Sequence, residues 1–296
     1  MPCPTCQRRS ALVAALAPAI SRGGPLTRER LLGLLSIPNT RLLREAGVEN
    51  PSRILRRLRP PVPTITVPTA LCRHDAGYPQ ALAQLPSAPA VLYATCTPAR
   101  LRELLAKPTV AILGGREYSP HARQPTFMLA RDLARAGVTV ISGLDRGLEG
   151  IAQHGALHDG GPGGVAVMAC APDRPYTPRY EDLHRQILAR GTAVSELPPG
   201  FFGAERWLFL AAQRIIAALA RLVVVTEAGG YSCALFTTQI AADLGHDIAV
   251  VPGRVTDPGG IHMLGLLRDG AHPVSCAGDV LDLLGDGGRQ VAACPS

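Results

Sequence analysis

The chain has 296 residues, 47% of them hydrophobic and 18% charged, which excludes a disordered polymer and leaves enough chain to bury a full core. Of its 30 basic residues only Lys107 is lysine, and against 23 acidic residues the net charge is +7, a balance that invites a polyanionic partner. The excess sits at one end: residues 1–60 hold 11 arginines against Glu29, Glu45 and Glu49, and the rest of the chain is close to neutral.

At the N-terminus, Cys3 and Cys6 have the spacing of half a zinc site. No second pair at finger spacing follows in the sequence, so no metal is expected. Arg8-Arg9 before Ala11 to Ile20, with the Ala17-Pro18-Ala19 triplet, imitates a short secretory signal, but the stretch reads better as an amphipathic helix stopped by Ser21 to Gly24. Eight cysteines are scattered along the chain, several inside apolar runs, the usage of a reduced cytoplasmic protein without a disulfide framework. No apolar run approaches the length of a membrane span, and no membrane association is expected.

Leucine spacing predicts short helices over Ser10 to Ile20, Thr27 to Leu35, Thr40 to Ala46 and Pro51 to Leu58. Pro60-Pro61-Val62-Pro63 and Pro68 then form a stiff, non-helical connector. From Thr109 onward, β-branched runs begin near residues 109, 138, 164, 192, 222, 248 and 273. They alternate with helical patterns at about 121–136, 146–158, 179–190, 205–220, 232–244, 261–269 and 278–284. Apolar strands alternating with helices predict an α/β fold, Rossmann-like and doubly wound, with a mainly parallel sheet. The expected organisation is a helical N-terminal module with its linker over 1–68, the α/β domain over 69–286 and a loose tail over 287–296.

In such sheets ligands bind at the carboxyl ends of the strands, where helix N-termini offer free amides. Three strand ends carry suitable loops. In the first, Gly114 and Gly115 permit close approach, Arg116 follows, Ser119 is placed to cap, and Pro120 fits the first helical position. The second is Ser142-Gly143 with Arg146 and Gly147, and the third is Gly229-Gly230 with Ser232 as a cap. Arg214 lies in an almost wholly apolar helix, so it must snorkel, pair with Glu196 or Glu227, or face an anion. No nucleophile elbow, zinc-protease motif, P-loop or dinucleotide fingerprint is present, and seven histidines from His121 to His272 are dispersed. The residues predict neither an enzyme nor a bound cofactor.

The collinear motifs carry a resemblance. Gly77-Tyr78-Pro79 with Leu82, then Pro89 to Tyr93, are followed by Ala111 to Ser119, Ser142-Gly143 with Arg146-Gly147, and Ser195 to Gly200. Gln213 to Ala217, Val224 to Ala228, Val250 to Gly253 and Asp269 to Ala271 complete the series. In order and spacing these resemble the DNA-processing protein A family, DprA or Smf, over about residues 77–275. The resemblance implies a Rossmann-like core that binds single-stranded DNA, usually as a homodimer, and hands it to a RecA-type recombinase in natural transformation. It implies phosphate contacts from Arg116, Ser142, Gly143, Arg146, Gln213 and Arg214.

Several positions depart from the family pattern, as in a divergent member. Leu148-Glu149 stand where the family has Ile-Asp, Gln153 where it has histidine, and Ala212-Gln213 where it has Arg-Asn. Cys233 lies in the loop that usually reads SGSLIT. The alternative reading is a nucleotide-binding or nucleotide-processing protein of phosphoribohydrolase type, against which Glu227 precedes Gly229-Gly230 instead of following them.

Overall fold

The computed structural model describes residues 2–22, 27–47, 67–203, 205–230, 232–257 and 259–285. The expected helix at 51–58, the proline run at 60–63 and the tail from 287 lie outside these residues. The first helix, α1 (Pro4–Ala15), starts six residues earlier than leucine spacing predicts, because Pro4 has the φ of a first helical residue and lacks the amide that would go unpaired there. It is followed by α2 (Ala17–Arg22), α3 (Arg28–Ser36), whose expected cap Thr27 accepts from the Arg30 amide, and α4 (Asn39–Glu45).

These helices are not free-standing. Leu12, Leu31, Leu42 and Leu43 share one buried cluster with Trp207, Leu208 and Ala211 of a later helix. The Trp207 indole donates to the Ala17 carbonyl at 2.9 Å, and the Ser10 hydroxyl donates to the Glu196 carbonyl at 2.9 Å. Part of the N-terminal arginine excess is structural as well. Arg9 donates to Asn39 and to the carbonyls of Leu34 and Leu35, and burial pulls its pKa down to about 10.

Among the described residues the sheet has nine strands: β1 (Thr69–Cys72), β2 (Val91–Ala94), β3 (Thr109–Gly114), β4 (Thr139–Gly143), β5 (Val165–Val167), β6 (Thr192–Ser195), β7 (Leu222–Glu227), β8 (Asp247–Val250) and β9 (His272–Pro273). Their order is β1-β2-β6-β5-β4-β3-β7-β8-β9. From β6 to β9 every pairing is parallel, as expected, whereas β1 and β2 form an antiparallel edge that periodicity did not predict. Only the four-residue helix Gln80–Ala83 separates them, so the regular alternation of strand and long helix that marks the parallel strands is missing there. The interleaved helices are α5 (Gln80–Ala83), α6 (Pro98–Ala106), α7 (Pro120–Arg135), α8 (Leu148–Leu157), α9 (Glu181–Arg190), α10 (Arg206–Leu219), α11 (Cys233–Asp243), α12 (Gly260–Arg268) and α13 (Ala277–Leu283). The chain winds from β3 outward to β6, then returns to the other side of β3 with β7. This creates a topological switch point beside β3, the place where a crevice opens in such sheets.

Apolar side chains cover both faces. Leu113, Ile141, Val225 and the α10 residues Ile215 and Ile216 form one cluster, while Ile112, Val140, Val224, Leu129 and Leu133 form the other. Among the described residues no helix is long and apolar enough to cross a membrane.

Candidate functional site

The carboxyl ends of β3, β4 and β7 converge on a cleft of about 490 Å³. The first loop folds back tightly: the Gly115 amide donates to the Glu227 carbonyl at 2.8 Å, and the Leu148 amide donates to the Gly115 carbonyl at 3.1 Å. Gly114 must lack a side chain because a Cβ would sit 2.6 Å from Cβ of Leu148. Gly147, at φ +104°, turns the chain into α8 with its α-carbon side against Gly115 and Arg116. Here the sequence needs glycine both for conformation and for room.

Arg116 is half-exposed and grips Asp145 through Nε at 2.5 Å, with its guanidinium carbon 4.6 Å from the centre of the Phe209 ring. Arg146 and Arg206 are exposed along the same cleft, and among the described residues neither has a carboxylate partner. The N-terminus of α11 enters beside Gly229, Gly230 and Ser232, and Ser232 accepts from the Ala234 amide as the sequence predicts.

The floor is polar and buried. Burial, reinforced by Asp145, pushes the Glu149 carboxyl up to about 8, so it is mostly neutral near pH 7. Gln213 donates to Glu149 at 3.3 Å and accepts from the Thr237 hydroxyl. Burial also pushes the Cys233 thiol up to about 12, which makes it a poor nucleophile. With Glu149 neutral, three guanidinium groups face Asp145 and the exposed Glu117.

Of the predicted site residues, Gly114, Gly115, Arg116, Arg146, Gln213, Gly229, Gly230 and Ser232 line this cleft, and Gly143 lines its inner extension. Three do not. The Ser119 hydroxyl and amide both donate to the Glu227 carboxylate, at 2.6 and 2.7 Å, instead of capping α7. Ser142 is fully buried and donates to the Ile112 carbonyl. Arg214 is 1% exposed: two of its nitrogens grip the two Glu196 oxygens at 2.6 Å each, Nε donates to the Ser87 carbonyl, and Nη1 also donates to the Ala211 carbonyl. Of the readings open for Arg214, carboxylate pairing therefore replaces anion contact.

The Tyr78-Pro79 motif belongs to the same scaffold, since the Tyr78 hydroxyl donates to the Pro89 carbonyl and the adjoining loop presents Ser87 to Arg214. Gln153 is likewise internal, donating to the carbonyls of Ser142 and Val165. Sequence reasoning missed Asp145, Arg206 and Phe209. Arg206, Phe209 and Gln213 are spaced i, i+3, i+7 on α10, a helical stripe that would have singled out the first two once Gln213 was in view.

Fold and cleft together define a class: a Rossmann-like α/β protein with an arginine-lined cleft at the switch point of its sheet. The sequence model of the family described as DNA recombination-mediator protein A matches residues 69–285. The chain belongs to that family. A Mycobacterium tuberculosis relative bearing the DprA name is 38% identical over 197 residues, which are 67% of this chain and 50% of that protein, so the chain spans about half the length of such a relative. The solved structure of DNA processing protein A from Streptococcus pneumoniae matches with a TM-score of 0.70 and 25% identity, covering 95% of this chain and 98% of that one. The corresponding Helicobacter pylori structure, described for its single-stranded DNA binding mode, has a TM-score of 0.62 and 27% identity over 72% of this chain and 98% of its own.

Proposed function

We propose that this chain binds single-stranded DNA by following its phosphates through the arginine-lined cleft, acting without catalysis as a mediator of recombination and DNA uptake in the cytoplasm. The observation that carries the reading is the convergence of Arg116, Arg146 and Arg206 with the amide-rich start of α11 around one cavity, in a chain of the recombination-mediator family. Guanidinium groups and helix-end amides recognise phosphate without reading bases. Arg116 covers one face of the Phe209 ring, so a base does not stack on that face while the guanidinium is there. Homodimerisation and delivery of the strand to a RecA-type recombinase belong to the same proposal and rest on the family.

A phosphoribohydrolase-type reading has less support, because the glutamate beside the glycines, Glu227, is held by Ser119 at both of its oxygens. The test is binding of oligo-dT across a salt series by the parent, Arg116→Ala, Arg146→Ala and Arg206→Ala. Each phosphate contact removed should lower the slope of log K against log salt by about 0.7. Binding that ignores salt, or three variants indistinguishable from the parent, would refute the proposal. Thermal stabilisation by a nucleotide and not by oligo-dT would favour the other reading.

A further inference from the structure

Cys3, Cys6, Cys72 and His74 come from two segments almost seventy residues apart, yet their ligand atoms all lie within 4.8 Å of one another. Nδ1 of His74 stands 3.6 Å from Sγ of Cys3, 3.5 Å from Sγ of Cys6 and 3.9 Å from Sγ of Cys72. Around a tetrahedral zinc ion with ordinary bond lengths, a nitrogen and a sulfur ligand are about 3.6 Å apart and two sulfurs about 3.8 Å. The observed spacings therefore need contraction of no more than about 1 Å to close on such an ion. Among the described residues no other group of three or more metal-ligating side chains comes together in this way.

We propose that this cluster is a structural zinc site with three thiolates and one imidazole as ligands. The expectation of no metal rested on finding only one close pair in the sequence, and the fold supplies the other pair. Each pair sits on a locally fixed backbone. Cys3 is the N-cap of α1 and Cys6 lies in its first turn, with Pro4 between them and the Gln7 amide donating to the Cys3 carbonyl at 3.1 Å. Cys72 ends β1, and His74 follows in a turn closed twice by Asp75: its amide donates to the Cys72 carbonyl at 2.8 Å, and its carboxylate accepts from the Cys72 amide at 2.7 Å. Soft thiolates with one imidazole suit zinc, and four protein ligands leave no open position for chemistry.

The position gives the ion a purpose. Strand β1 is an outer strand of the nine-stranded sheet, and Cys6 and Cys72 share a small buried cluster with Ala90, Val91 and Tyr93. A zinc ion here would clip the start of α1 to the sheet edge, about 70 residues along the chain from its other anchor, and so hold the N-terminal helices on α10. Trp207, the single tryptophan, reports on that docking through its hydrogen bond to Ala17.

The test uses the full chain, purified anaerobically under reducing conditions and loaded with Zn²⁺ or Co²⁺. About one zinc per chain is expected. The cobalt form should show thiolate charge-transfer absorption and the intense visible bands of a tetrahedral centre. His74 is exposed, so His74→Asn should fold while losing most of the cobalt signal, and His74→Cys should regain a tetrahedral spectrum shifted toward four-sulfur coordination. Chelation of the zinc form should lower Tm by about 5 °C or more and shift Trp207 fluorescence. Less than a tenth of an equivalent of metal in the loaded parent, or a cobalt spectrum unchanged by His74→Asn, would overturn the proposal.

Discussion

Replacing Arg214 by methionine separates a structural ion pair from a DNA contact. Removing the guanidinium takes the two-pronged partner from Glu196, whose side chain is 10% exposed, leaving Arg9 as a neighbouring charge, and also strips donors from the Ser87 and Ala211 carbonyls. Breaking such a pair costs about 3–5 kcal/mol. Arg214→Met should therefore lose about 4 kcal/mol at pH 7, a large share of a typical domain's total stability. Adding Glu196→Gln should recover most of the loss at pH 7, since no charge is then left buried. Urea denaturation at pH 7 measures both. Oligo-dT titration at a temperature where the variant is folded gives the second readout, with affinity expected within about threefold of the parent because Arg214 does not reach the cleft. A variant as stable as the parent that has nonetheless lost DNA binding would refute the reasoning.

Glu149 gives a pH signature of opposite origin. The folded protein keeps its proton up to about pH 8 while the unfolded chain releases it near 4.5, so this stabilisation is complete below pH 4.5 and is lost as pH rises toward 8, at about 1.4 kcal/mol per pH unit. Glu149→Gln should flatten the stability profile between pH 5 and 7.5 by about 3 kcal/mol in urea melts. It should also abolish the weakening of DNA binding expected above pH 8, when the parent places a carboxylate on the floor of the cleft. Gly147→Ala forces a side chain into a backbone conformation at φ +104° against the Gly115 carbonyl, and should cost about 1–3 kcal/mol together with a loss of oligo-dT affinity, both measured on one preparation. Deleting residues 1–47 uncovers Trp207, Leu208 and Ala211, so gel filtration should show aggregation or a marked fall in Tm, where an independent module would come away cleanly.

Local geometry and the parallel part of the sheet were legible in the amino-acid order. Alternation of β-branched runs with helical spacing placed β3 to β9, and Pro120, Ser232 and Gly147 marked helix starts, because those signals depend on backbone sterics within a few residues. The same order also marked the cleft, since the glycine loops at the ends of β3, β4 and β7 must converge once the strands are parallel and adjacent. Partnerships between distant segments were fixed by folding. Arg214 could satisfy its buried charge with a carboxylate or with an anion, and spacing does not tell the two apart; the choice was made by Glu196 arriving from the end of β6. Ser119 was drawn from its cap to Glu227 in the same way. Nothing in the sequence joined Cys3 and Cys6 to Cys72 and His74, because ligands are matched by distance in space, and that distance exists only after α1 has packed against the edge of the sheet.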